Sequence, residues 1–270
     1  MLLGERHFYE PVRCISSLLT NYLVIGSGNY LYQLKIDKST RGLSVGDHIH
    51  SRFAINRIRS TGRHIVTAGH RDSIDMYELR DARLQFVSSD AQATWSVDCC
   101  LNDDMLVASD LRGNLYGFEC KLFSHPAPTE DISDLGNSIN ASFEENVEEV
   151  IVKIQLGQLK PDFQQKKEYK QLRRFYGASN TGNIYCVRSV SKDEFDALKL
   201  LEVFLAESFL PSNVTEQDHI LISRHSKSIF TERLSAFYDL SRDEQDKYYS
   251  LCTNYGIDIT RRQLEDMTIF

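Results

Sequence analysis

Short apolar runs alternate with polar turns along the first 190 residues of the chain. Four segments share one pattern: an apolar strand, a small residue, a polar turn, and a second strand. They are residues 23–30, 65–74, 106–115 and 175–184. Their turns contain Gly or Asn, which accept the positive φ that a tight hairpin requires. The pattern therefore predicts four β-hairpins of one kind.

The four hairpins recur at a regular interval. The apolar residues that follow the turns are Tyr30, Ile74, Leu115 and Ile184, with separations of 44, 41 and 69 residues. Another short apolar run precedes each hairpin. Several strands repeating every ~40–45 residues are typical of the blades of a β-propeller. A β-sandwich also alternates strands and turns, but it gives no reason for the same turn to return at this interval.

The predicted fold class is mainly β: a partial β-propeller of about four blades over residues 1–190, then a small α-helical tail over residues 191–270. Since four blades do not close a ring of the usual size, we expect further blades upstream in a larger multi-propeller protein. The tail opens with a capping box, Ser191 to Glu194, and its first helix ends at Pro211. Further helices are predicted near 231–239, after Ser241 and after Thr260, with apolar residues that pack on the blades.

The long third interval contains an acidic insertion, residues 124–149. This segment has no Lys or Arg and carries seven acids: Glu130, Asp131, Asp134, Glu144, Glu145, Glu148 and Glu149. Pro, Gly, Ser and Asn accompany them, which is typical of a flexible loop. We predict a loop between blades, either inert or in regulated contact with a basic partner.

A basic cluster follows the acidic insertion. Its members are Lys166, Lys167, Lys170, Arg173 and Arg174, with Tyr169 among them. Such residues contact phosphates and stack a base, so they are the candidate contact for RNA or DNA. A solvated hairpin loop explains the same residues equally well. The net charge of −7 argues against electrostatic binding of nucleic acid by the chain as a whole.

The sequence lacks the signatures of catalysis. It has no G-x-S-x-G, H-E-x-x-H, Walker or C-x-x-C motif, and its eight histidines are dispersed. We therefore expect no catalytic residue, no metal site, no cofactor and no enzyme activity. The six cysteines have no metal-ligand spacing, so we expect reduced thiols, which point to the cytosol or nucleus. No apolar stretch is long enough for a transmembrane helix, and we expect no membrane partner.

The second and third repeats contain the sequence motifs that are most specific for a family. Residues 69–77 form a polar turn with Ser73-Ile74, residues 84–90 end in Ser-Asp before Trp95, and residues 108–115 contain Asp-Leu-Arg-Gly-Asn. This order resembles the C-terminal region of a family of large nuclear scaffolds. The family includes the cleavage and polyadenylation specificity factor A subunit, the large splicing factor 3b subunit and damaged-DNA-binding protein one. The chain departs from the family at residues 230–234, where the family often has Ile-Asp-Gly-Asp-Leu, which leaves the family member open.

The resemblance implies a non-enzymatic nuclear scaffold fragment. Its partners would be protein subunits of a larger nuclear complex, with nucleic acid as a further candidate contact. The complexes implied are those of pre-mRNA splicing, 3′-end cleavage and polyadenylation, or DNA repair through a ubiquitin ligase. The alternatives are an unrelated propeller adaptor in the cytosol or in trafficking, and a propeller enzyme such as a hydrolase.

Overall fold

A computed structural model describes residues 6–37, 42–69, 71, 73–90, 92–102, 105–119, 138–139, 141–157, 174–209, 234–257, 259–261 and 264. The chain divides into two compact units, Met1–Arg188 and Ser189–Phe270. The described strands lie in the first unit, and the described helices lie in the second. The two units are built by different periodicities, since a strand repeats every two residues and a helix every 3.6.

Four antiparallel sheets make up the first unit. Blade 1 contains β1 (Val12–Leu18), β2 (Tyr22–Ser27), β3 (Tyr30–Asp37) and β4 (Gly42–His50). Blade 2 contains β5 (Ile55–Thr61), β6 (His64–Gly69), β7 (Ile74–Arg80) and β8 (Arg83–Asp90). Blade 3 contains β9 (Ser96–Leu101), β10 (Met105–Asp110), β11 (Asn114–Glu119) and β13 (Phe143–Asn146). Blade 4 contains β14 (Ile151–Gly157), β15 (Arg174–Ser179) and β16 (Ile184–Arg188), and the short β12 (Ser138–Ile139) pairs in parallel with β8.

The blades pack face to face around their first strands. β1 lies beside β5, β5 beside β9, and β9 beside β14, so we call these four the inner strands. Separate apolar cores fill the interfaces between blades 1 and 2, blades 2 and 3, and blades 3 and 4. Each buried aliphatic or aromatic side chain stabilises such an interface by about 1.5–3 kcal/mol. Four sheets that pack in series, each on the next, are propeller-like. The predicted fold class of a mainly β partial propeller with a helical tail is confirmed.

The hairpin of blade 3 shows why the repeated turns have their sequence. The Asp110 carboxylate accepts hydrogen bonds from the backbone N–H groups of Arg112 and Asn114 and from the Asn114 side chain, at 2.8–2.9 Å. Gly113 has a φ of 84°, which L side chains rarely adopt. The Asp-x-x-Gly-Asn motif therefore forms a turn by itself: the Asp carboxylate accepts its hydrogen bonds, and the Gly adopts its positive φ.

The sequence predicted that the acidic insertion lies between blades, and among its described residues this holds for 147–149, which connect blade 3 to blade 4. Residues 143–146 form β13, which pairs with β11 and completes blade 3. Phe143 packs into the core between blades 3 and 4, while Glu144 is exposed. An outer strand accepts charged residues because one of its faces meets water. Glu144 and Glu145 are therefore strand residues, and the part of the insertion before β13 connects two strands of one blade. Residues 124–137 and 140 lie outside the described residues.

The second unit contains α1 (Lys192–Phe209), a 3₁₀ helix (Ser235–Asp239) and α2 (Arg242–Asn254). The predicted capping box at Ser191 is present: the Ser191 backbone N–H donates to Glu194, and the Glu194 N–H donates to the Ser191 hydroxyl. Ser241 and Glu244 form a second capping box at the start of α2. Among the described residues, no helix is both long and apolar enough to cross a bilayer.

The helices have an apolar core of their own. Its buried members come from every helical segment: Leu198, Leu201, Leu205, Leu234, Phe237, Tyr248, Cys252 and Leu264. Tyr248 donates its hydroxyl hydrogen to the Ala197 carbonyl at 2.9 Å and so links α2 to α1. The apolar residues of the tail therefore pack against one another. Their predicted contact with the blades stays a prediction.

Candidate interaction site on the inner strands

One buried carboxylate links three blades. Asp98 on β9 has a fully buried side chain. It accepts two hydrogen bonds from Nη2 of Arg59 on β5, at 3.1 and 3.2 Å. It also accepts one from the backbone N–H of Ile154 on β14, at 2.8 Å. Because these partners belong to blades 2 and 4 while Asp98 belongs to blade 3, the carboxylate fixes the spacing of three inner strands.

Two more cations surround the same carboxylate. Nε of Arg57 lies 3.7 Å from Oδ1 of Asp98, and Nζ of Lys153 lies 3.6 Å from Oδ2. Their side chains are 43% and 53% exposed. We call Arg57, Arg59, Lys153 and Asp98 the Asp98 cluster. Three cations share one acid, so this cluster carries excess positive charge on a surface that water reaches.

Strand geometry explains how the sequence places these cations. Arg57 and Arg59 are two residues apart on β5, so both point to the same side of the strand. They pair with Ala68 and Val66, which face the core between blades 2 and 3. Ile58, the residue between them, faces the core between blades 1 and 2. The Arg-Ile-Arg motif therefore places two guanidinium groups on the side of β5 that faces blade 3.

The first two inner strands are linked by polar contacts that contain no ion pair among the described residues. Arg13 donates to the Asn56 side chain at 2.9 Å, and the Ser16 and Ser60 hydroxyls lie 2.7 Å apart. The Ser60 hydroxyl also contacts the Ser17 carbonyl. These contacts join β1 to β5, as the hydrogen bonds of Asp98 join β9 to β5 and β14. Rigid spacing of the blades is the result.

A second buried acid, Asp75, has a structural role. Arg52 donates to it at 2.6 Å, the Tyr77 hydroxyl at 3.1 Å and the Ser51 hydroxyl at 3.4 Å. Burial raises the pKa of Asp75, and the hydrogen bond and charge of Arg52 oppose that rise. These bonds hold the connection between β4 and β5 against β7.

The described cysteines are poor nucleophiles. Burial raises the pKa of Cys14 to about 11 and also raises the pKa values of Cys99, Cys100, Cys186 and Cys252. A thiol attacks as its thiolate, which a raised pKa disfavours at neutral pH. Within the described part of the chain, no three His, Cys, Asp or Glu side chains converge as a metal site would require.

The predicted nucleic-acid residues fall at the edge of the described chain. Lys166, Lys167, Lys170 and Arg173 lie outside the described residues. Arg174 begins β15 and pairs with Gly157 on β14 and with Arg188 on β16. The structure therefore brings Arg174 near one other cation and does not test the cluster as a whole.

The Asp98 cluster was not predicted from the sequence. Arg59 and Asp98 are 39 positions apart, and Asp98 and Ile154 are 56 apart. The one local signal was the alternation of Arg and Ile at 57–59, inside a strand that should face a neighbouring blade. A cation that is partly buried at such a position is stabilised by an acid on the next inner strand.

Comparison with known proteins assigns the chain to a family. No curated protein gives a significant match to the sequence. The model of the CPSF A subunit region matches residues 2–220, which include all four blades and α1. This match covers most of the chain and agrees with the family resemblance of the motifs at residues 69–115. The chain belongs to the CPSF A subunit region family.

Proposed function

We propose that the chain is a non-enzymatic scaffold module of a nuclear complex. The complex would act in pre-mRNA splicing, in 3′-end cleavage and polyadenylation, or in DNA repair through a ubiquitin ligase. The family match over residues 2–220 is the observation that carries this proposal, since family members act in multi-subunit assemblies and are generally nuclear. The protein partners are subunits of that complex.

The proposed mechanism is geometric. A scaffold must hold its partners at fixed separations, and the blades of this chain are held at fixed separations by buried contacts. Asp98 links three of them, and polar contacts join β1 to β5. Interfaces of this kind bind through surface shape and charge and need no reactive side chain. The weakly nucleophilic cysteines and the structural use of Asp75 and Asp98 support a role without catalysis.

Protein contact explains the charge of the chain better than nucleic-acid contact. The net charge of −7 repels a long phosphate backbone at a distance. A protein partner meets only the patch that it covers. Protein subunits are therefore the primary partners in this proposal, and nucleic acid is secondary.

Affinity capture tests the proposal. The full chain, tagged and folded as judged by circular dichroism, is incubated with nuclear extract, and an unrelated propeller with the same tag is the control. Enrichment of splicing, polyadenylation or cullin-ligase subunits over the control is the expected result. Enrichment of coat or sorting proteins instead would support the trafficking adaptor and overturn the nuclear assignment.

A further inference from the structure

The Asp98 cluster contains more positive charge than its acid satisfies. A carboxylate offers about four lone-pair sites. Arg59 and the Ile154 N–H take the short contacts, at 2.8–3.2 Å. Arg57 and Lys153 reach the same group only at 3.7 and 3.6 Å. Arg57 also donates from Nη1 to the Asn56 carbonyl at 3.3 Å. Beyond these contacts with described residues, N–H donors of Arg57 and Lys153 remain for an anion from outside.

The two cations lie on either side of blade 3. Arg57 is on β5 and Lys153 is on β14, and β9 packs beside both strands. About half of each side chain is exposed, whereas Asp98 between them is fully buried. The surface that an approaching molecule meets is consequently cationic, and the acid that fixes the cations is hidden beneath it.

We propose that the Asp98 cluster binds an acidic peptide segment of a partner protein. A guanidinium group binds a carboxylate through two parallel hydrogen bonds, and an ammonium group adds a point charge. β14 shifts register between Ile151 and Lys153, and at this irregularity Val152 and Lys153 are both exposed. Val152 is 41% exposed and offers apolar contact to a peptide side chain. A short acidic segment meets the cations without meeting the acidic remainder of the surface. This inference rests on the proposed function, because it names the class of partner that the scaffold holds.

Fluorescence anisotropy on the full chain tests the inference. The probes are fluorescein-labelled oligoglutamate, oligoglutamine of the same length, and oligouridylate. Oligoglutamate should bind, oligoglutamine should not, and binding should weaken as potassium chloride is raised, because salt screens exposed charge.

Variants locate the site. Arg57→Gln with Lys153→Gln leaves the Arg59–Asp98 pair in place and should weaken oligoglutamate binding about tenfold. Arg83→Gln with Lys35→Gln removes the same charge at two exposed positions away from the inner strands and should leave binding unchanged. Circular dichroism confirms that both variants fold.

Three outcomes would overturn the inference. They are no binding of oligoglutamate, equal loss in both double variants, and tighter binding of oligouridylate through Arg57 and Lys153. The first two would leave the proposed function standing if nuclear subunits are still captured from extract. Conversely, oligoglutamate binding without capture of nuclear subunits would retain the site and reject the nuclear scaffold.

Discussion

The carboxylate of Asp98 accepts a 2.8 Å hydrogen bond from the backbone N–H of Ile154, 56 positions further along the chain. This bond crosses from blade 3 to blade 4 and spans the whole acidic insertion in sequence. It aligns two inner strands that no short connection holds together. The stability of the first unit should therefore depend on this one side chain.

Asp98→Asn should destabilise the chain by about 2 kcal/mol, because the charged acceptor of Arg59 is lost while Arg57 and Lys153 remain. Urea unfolding followed by circular dichroism measures the change. Asp81→Asn is the matched control, since Asp81 is exposed and its φ of 51° suits Asn. The control should stay within about 0.5 kcal/mol of the parent. Equal stability of the two variants would show that Asp98 does not join the blades.

Gly26→Ala should disturb the interface between blades 1 and 2. A Cβ at this position would lie 2.6 Å from Sγ of Cys14 and 2.8 Å from Cγ2 of Ile55, so these side chains on the inner strands must shift. We expect a loss of about 1–3 kcal/mol by urea unfolding. Gly157→Ala is the control, because a Cβ there meets nothing within 4 Å. A neutral Gly26→Ala would contradict the close packing of β1 on β5.

Glu149 should make the last hairpin sensitive to acid. Hydrogen bonds, chiefly from Thr181 and Ser179, lower the pKa of Glu149 below its ordinary 4.5. The stabilisation is therefore present above pH 4.5 and is lost as the pH falls through the lowered native value. Glu149→Gln should speed amide exchange in β15 and β16 near neutral pH, and the difference from the parent should vanish in acid.

The control for this variant is Glu144→Gln, at an exposed position on β13. It should leave exchange in β15 and β16 as it is in the parent. An exchange difference for Glu149→Gln that persists unchanged in acid would argue against the ionised carboxylate as its source.

Tyr248→Phe should loosen α2 from α1. The change removes the hydrogen bond to the Ala197 carbonyl and leaves that acceptor buried, at a cost of about 1 kcal/mol. Thermal unfolding followed by the helical circular dichroism signal measures it. Tyr255→Phe removes a hydroxyl from a side chain that is 71% exposed and should have no effect. Equal melting of both variants would refute the proposed link.

Any binding of RNA should be weak, strongly salt-dependent and centred on the predicted basic cluster. Reversing the charge of Lys166, Lys167, Lys170, Arg173 and Arg174 should abolish it in a filter-binding assay. The control reverses five exposed cations elsewhere: Arg83, Arg112, Lys192, Arg242 and Lys247. RNA affinity that survives the first set, or falls equally with the second, would remove the basic cluster as the contact.

Local chemistry explains what the sequence could predict. The hairpin at Asp110 and the capping boxes at Ser191 and Ser241 are each formed by residues a few positions apart. Each of these motifs can therefore be recognised in the sequence by itself. Repetition of the hairpins then predicted the propeller. The Asp98 cluster could not be predicted from the sequence, because its members lie on β5, β9 and β14 and come together only when these three strands are aligned. β13 was missed for a related reason: an outer strand needs few apolar residues, and Glu144 and Glu145 made it resemble a loop.

The position of the insertion has a consequence for how this family can diversify. Since β11 and β13 pair directly, the ends of the intervening segment are fixed by the ladder of blade 3 itself. The entropic cost of such a loop grows only with the logarithm of its length. A lineage can therefore change the length of the segment between β11 and β12 while β12 stays paired with β8 and β13 stays paired with β11, and new recognition sequences can be added to an unchanged framework.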